Sequence, residues 1–251
     1  MTARAVMMIK FLKNFGLILL SLSGVITVIT GFFIFALGPP VFSAPIGNTS
    51  ISDDGKTLVT FQNKNRVRMG EETNDEFVIR LVKAVKERTL HEVIYDGRYY
   101  EIAYPNGDVP ANIGVCTDVI IRAFREVGVD LQEKVHEDMS DNFNLYPSRR
   151  IWGLTRPDRN IDHRRVPNLR VFFGRFGDSL EVTGEANDYL PGDLVTWLLP
   201  GNIPHIGIVI DERSSDGNRP LIAHNIGAGP NIEDMLFDYK ITGHYRYTGI
   251  N

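Results

Sequence analysis

The feature that most constrains this chain is an uncharged stretch near its N-terminus. No Asp, Glu, Lys or Arg occurs between Lys13 and Asp53, and inside that gap Phe15–Leu37 is a 23-residue run of apolar and small residues. About 20 such residues span a bilayer core, whereas the apolar region of a secretory signal holds roughly 7–15. The pattern predicts a transmembrane anchor over residues 14–38, with residues 1–13 as a cytoplasmic N-terminus. A signal removed by cleavage is the alternative, because Ser43-Ala44 supplies small residues; Pro45 then follows and disfavours the cut. Arg4, Lys10 and Lys13 precede the run, and the first charges after it are Asp53 and Asp54. The positive-inside rule leaves the remainder outside the inner membrane, anchored there or secreted to the periplasm after cleavage.

Outside this run the composition is that of a globular protein, and a net charge of -4 argues against nucleic acid as a partner. One cysteine excludes an intramolecular disulfide and any zinc site built on two cysteines. No HExxH or comparable spacing is present, so no metal or cofactor is expected. Residues 39–72 read as a polar linker with a short strand at 57–61.

The domain is expected over 73–251. Thr73 or Asn74 can cap a helix whose apolar face holds Phe77, Val78, Leu81, Val82 and Val85. A turn-rich, tyrosine-rich stretch over 95–114 follows. A second helix is expected over 116–127, stopped by Gly128, and a third over 131–139. Pro147, Pro157 and Pro167 mark residues 146–170 as loop-rich. Strands are expected at 193–199, 206–211, 220–225 and 244–247, the middle two joined across Ser214–Asn218. Helices followed by an antiparallel sheet make the fold class α+β.

Cys116 opens the second helix, where free N–H groups and the positive helix end favour a thiolate. His205 opens an apolar strand, and His224 ends the next one. If residues 205 and 224 pair directly, the two histidines share one side of the sheet, and a slip of one residue substitutes Asn225. Either supplies the third group that a thiol and imidazole pair requires.

Tyr104-Pro105-Asn106-Gly107, Cys116 at a helix start, Pro191-Gly192-Asp193-Leu194-Val195, His205-Ile206-Gly207-Ile208 and Ile222-Ala223-His224 together resemble the ordered signature of NlpC-type papain-like cysteine peptidases. That resemblance implies a papain-like fold, Cys116 as nucleophile, His205 as base, His224 as orienting residue and Tyr104 beside the oxyanion. Longer stretches, among them Gly114–Asp118, Val135–Met139, Asn160–Asn168 and Gly243–Arg246, resemble the YijF-like bacterial family of unknown function. Val115-Cys116-Thr117 departs from the superfamily's usual Asp-Cys-Ser, and the interval from cysteine to histidine is longer than in its compact members.

From Arg149 to Arg175 there are eight arginines, no lysine and two acids, Asp158 and Asp162. Arginine without lysine fits bidentate recognition of carboxylate or phosphate. Arg164 and Arg165 are the leading candidates to bind substrate carboxylates, with His163 beside them; internal salt bridges to the acidic remainder, or contact of the segment with anionic lipid headgroups, are the alternatives. The expectation is a membrane-anchored, extracytoplasmic cysteine hydrolase. It would act by Cys-His-His acyl transfer on an amide or peptide bond of peptidoglycan or another carboxylate-bearing peptide. A non-catalytic envelope peptide-binding module, and an acyltransferase or lipid-amide hydrolase on the same triad, are the alternatives.

Overall fold

The computed structural model describes residues 49–51, 57–59 and 73–249. The apolar run, and with it the expected anchor, lies outside them. Among the described residues no helix is long and apolar enough to cross a membrane. Strands β1 (Thr49–Ile51) and β2 (Thr57–Val59) form a hairpin of their own, β2 falling where a linker strand was expected.

The first helix, α1 (Asn74–Arg88), begins as its sequence dictates. Thr73 Oγ1 accepts the Glu76 N–H, and the Glu76 carboxylate accepts the Thr73 N–H in return. Two-residue strands β3 (Ile94–Tyr95) and β4 (Ile113–Gly114) then pair in parallel and lead into α2 (Cys116–Glu126). Gly128, at φ +90, ends α2 as expected. Helix α3 (Leu131–Asn142) is capped by Asp130 and runs one turn beyond its expected end.

The proline-marked segment is more regular than its composition suggests. It holds a short helix α4 (Ser148–Trp152), a 3-10 turn at Asp162–Arg164 and the start of an 11-residue helix α5 (Val166–Phe176). Pro167 does not break α5. It lies in the first turn, where an N–H has no intrahelical acceptor to lose.

Six strands make the sheet: β5 (Asp178–Leu180), β6 (Leu194–Leu199), β7 (Ile203–Arg213), β8 (Pro220–Asn225), β9 (Pro230–Glu233) and β10 (Lys240–Arg246). Their spatial order is β5-β10-β6-β7-β8-β9, antiparallel throughout. The helix-then-sheet order makes the domain α+β.

Side chains alternate across β7 and fill two layers. Ile206, Ile208 and Ile210 join Phe77, Phe124 and Phe173 in the main core beneath the helices. Val209 joins Trp197, Ile222 and Leu236 in a second cluster on the opposite face. Covering on both sides explains why Ile206–Ile210 carries no polar alternation.

Candidate active site

Cys116 is the first residue of α2, and the backbone before it is extended at Val115. The Asp118 carboxylate accepts the Val115 N–H at 2.7 Å and so fixes the turn into the helix. The same carboxylate takes two bonds from Arg164, Nε at 2.8 Å and Nη2 at 2.9 Å. Both side chains are almost fully buried, at 2% and 3% exposure. Thr117 donates its hydroxyl to the Arg164 carbonyl. Arg164 therefore clamps the start of α2. This corrects its expected role: its guanidinium is taken by Asp118 and cannot reach a substrate carboxylate as well.

Around the thiol, the N–H groups of Cys116, Thr117 and Ile206 approach Sγ and favour the thiolate. Burial acts against them and dominates. With Asp118 nearby, it pushes the thiol up to about 12, and Cys116 is only 5% exposed. The resting group is a neutral thiol, not the low-pKa thiolate that a helix start alone suggests.

Ile206 directly follows His205, so the thiol lies beside the start of β7. The histidines meet here, in a register other than the expected one. Ile208 faces Ala223 and Val209 faces Ile222, which sets His224 opposite Gly207 and not opposite His205. His205 and His224 are diagonal neighbours on one face of the sheet. The Gly207 position leaves His224 the room to lean toward its neighbour. His205 Nε2 and His224 Nδ1 stand 3.0 Å apart, and His224 Nε2 is 3.1 Å from Glu233 on β9.

These contacts fix the protons. The Glu233 carboxylate accepts, so His224 carries its proton on Nε2 and offers Nδ1 as acceptor. His205 then donates from Nε2, which leaves its Nδ1 lone pair as a base. Burial, then His224, pushes His205 down to about 3, so the ring is neutral near pH 7. Among the described residues no hydrogen bond joins Cys116 Sγ to an imidazole; backbone amides are its partners.

Tyr104 is placed elsewhere. Its ring stands edge-on to His136 at 5.1 Å between centroids and lies under Arg159. The tyrosine beside the thiol is Tyr95, held there by pairing with Gly114, two residues before Cys116. Burial and the neighbouring Cys116 and Asp118 push its hydroxyl up to about 12.

Asn225 is fully buried. Its Oδ1 accepts the Gly227 N–H, whereas its Nδ2 has no partner. Strand alternation gives Asn225 the same face as Ala223, the helix side, and gives His224 the other.

His163 is buried within the 3-10 turn with Nδ1 unpartnered, and burial together with Arg164 pushes it down to about 3. Arg165 stacks over Trp152 at 4.0 Å and pairs with Asp162 at 3.4 Å. Of the expected site residues, the fold brings Cys116, His205 and His224 to one end of β7 and β8, with Cys116 on the helix side of the sheet and the two imidazoles together on the opposite face. It leaves Tyr104, His163 and Arg165 in other contacts.

Glu233 and Tyr95 were not anticipated. Glu233 sits on a four-residue strand that follows Gly227-Ala228-Gly229, too short to carry a period. Tyr95 was one of several tyrosines in a turn-rich stretch, and only its pairing with Gly114 singles it out. Among the described residues no group of three His, Cys, Asp or Glu side chains is arranged to hold a metal ion.

Residues 82–247 match a domain family described as a domain of unknown function, DUF1287. The chain is also 51% identical over 169 residues to the Uncharacterized protein YijF of Escherichia coli (strain K12), a match that covers 67% of this chain and 81% of the relative.

Proposed function

Because the chain belongs to the DUF1287 family, whose description assigns no activity, we propose from the site itself that it is a cysteine hydrolase acting on an amide or peptide bond. The observation that carries the proposal is the meeting of three things. Cys116 lies at a helix start with backbone amides around Sγ, the Ile206 amide follows directly on His205, and His205 heads a chain to His224 and Glu233. The likeness to NlpC-type peptidases supports the same reading and extends it to a papain-like fold.

The reaction begins from neutral partners. The thiol lies on the helix side of the sheet and both imidazoles on the other, so His205 must turn about the start of β7 before its Nδ1 takes the thiol proton as Sγ attacks the substrate carbonyl carbon. The imidazolium so formed donates through Nε2 to His224, and Glu233 at the far end offsets the new positive charge. The amides of Cys116 and Thr117 hold the oxyanion, with Tyr95 beside them. His205 returns the proton to the leaving amine, and water then releases the acyl group from sulfur.

The substrate class follows from the expected compartment: the peptide cross-links or stem peptides of peptidoglycan, outside the inner membrane. The test is digestion of purified sacculi with the full-length chain and with Cys116→Ala, followed by mass analysis of the fragments. New termini made only by the native chain support the proposal. Identical digests remove peptidoglycan as the substrate.

One observation favours a second reading, an envelope peptide-binding module without thiol chemistry: Cys116 is buried and its pKa is raised. A substrate-like electrophile separates the two. Labelling of Cys116 that His205→Ala abolishes supports the hydrolase. Peptide binding that survives Cys116→Ala, without any such labelling, supports the module.

A further inference from the structure

A groove of about 640 Å³ lies between the α3–α4 connection, α5 and β10, away from the groups assigned to the thiol chemistry. Arg149, Arg150 and Arg170 line it, and no acidic side chain does. Among the described residues none of the three has a carboxylate partner. Arg149 lies over the Phe143 ring at 5.9 Å. Arg170 donates to the Thr242 carbonyl at 2.6 Å and to the Tyr245 hydroxyl at 3.4 Å, so its guanidinium is held at the groove wall. The other arginines of this segment that carry ion pairs are matched: Arg164 to Asp118, Arg165 to Asp162 and Arg175 to Asp138.

We propose that this groove is a binding site for a phosphate-bearing ligand. Three guanidiniums line one groove and repel one another, and among the described residues no carboxylate pairs with them. A carboxylate brings one negative charge, whereas a phosphomonoester brings about two near pH 7, together with three acceptor oxygens for forked donors. The phosphate therefore relieves more of the repulsion and uses more of the donors. Beside Asn144 and two tyrosines, Leu145, Val171 and two prolines give the remaining wall apolar surface, and Ile151 and Trp152 are exposed on α4 next to the arginines. Such a wall accepts the chain of a lipid phosphate as well as a free phosphate. The proposal does not depend on the thiol chemistry, because none of these residues belongs to it.

The test uses the full-length chain in neutral maltoside micelles, with Trp152 fluorescence as the readout. Trp197 is fully buried and serves as the internal reference. Inorganic phosphate is added to the buffer in one arm. Phosphatidic acid is doped into the micelles in a second, against phosphatidylcholine as control, and citrate is titrated in a third. The Arg149→Gln/Arg150→Gln variant changes two exposed side chains and is expected to fold, as circular dichroism will show. Saturable binding in either phosphate arm, weakened at least about tenfold in the variant, supports the site. Equal affinity in the two arms assigns free phosphate, and tighter binding of phosphatidic acid assigns a lipid. Binding of citrate at lower concentration than either phosphate overturns the proposal in favour of carboxylates. Absence of binding in both phosphate arms, or binding unchanged in the variant, overturns it altogether.

Discussion

Gly207 is the residue on which the histidine chain turns. A Cβ there would stand 2.6 Å from Ile222 Cγ2, 3.1 Å from the Ala223 carbonyl and 3.2 Å from His224 Cβ. The first two contacts belong to a buried side chain and the backbone of the adjacent strand, which have nowhere to move. Gly207→Ala should therefore cost about 1–3 kcal/mol in urea unfolding and displace His224 from His205. Its effect on Cys116 labelling should exceed that of an equally destabilising change in the second core cluster. At Glu233 the expected change is one of charge, not of stability. Glu233→Gln still bonds His224 Nε2 but no longer offsets an imidazolium, so Cys116 alkylation should slow about tenfold or more, against about a hundredfold or more for His205→Ala. Equal rates in all three proteins would remove the imidazoles from the chemistry. The cysteine and both histidines were legible in the sequence because their positions at a helix start and at strand ends carry chemical meaning. Glu233 was not, because a carboxylate on a four-residue strand has no pattern to betray it.

The elements differ in how much of them a local pattern reveals. Helix α1 could be read from its cap and its stripe of apolar residues, and Thr73→Ala should lower stability by about 1 kcal/mol, measurable as a fall in the urea midpoint at constant slope. Helix α5 was hidden because three prolines were counted as breakers without regard to where in a turn each falls. Strand β8 was placed correctly, yet its register against β7 was off by two residues. Such a shift keeps every side chain on its face and leaves the hydrophobic pattern unchanged, so composition carries no information about it. The start of α2 depends on an interaction that no local pattern contains. Arg164 lies 46 residues from Asp118 and is the partner that secures Val115 and Cys116. Arg164→Met removes one half of a buried pair and should cost about 3–5 kcal/mol. The double variant Arg164→Met/Asp118→Leu should recover part of that loss, which thermal unfolding of the four proteins will measure.

At the scale of the whole domain, buried titratable groups set how the fold responds to acid. His205 and His163 are each pushed down to about 3, by burial above all. Between pH 6.5 and 3 the unfolded chain takes up protons at these positions that the folded chain excludes, so their contribution falls as pH falls. Asp138, lowered by its bonds from Arg175 and Tyr146 against the cost of burial, acts in the same sense at lower pH. Asp162 opposes them. Burial pushes it up to about 6, so its contribution is present below about 4 and is lost as pH rises through 6. Two histidines outweigh one aspartate, and the urea midpoint should fall steadily from pH 7 to pH 4.5. His163→Gln should make that slope shallower by about one proton; an unchanged slope would show that His163 is protonated in the folded state.

The strand order has a consequence for how any partner is gripped. The sheet ends on β5, three residues long, and on β9, four residues long and opened by Pro230. Neither edge offers a run of open backbone groups long enough to template another strand. An extended peptide that lies along this domain finds almost no main-chain ladder to join, so recognition falls to side chains and discriminates by chemical group more than by length. The same short edges give neighbouring molecules little to stack on, which favours a domain that stays monodisperse at high concentration.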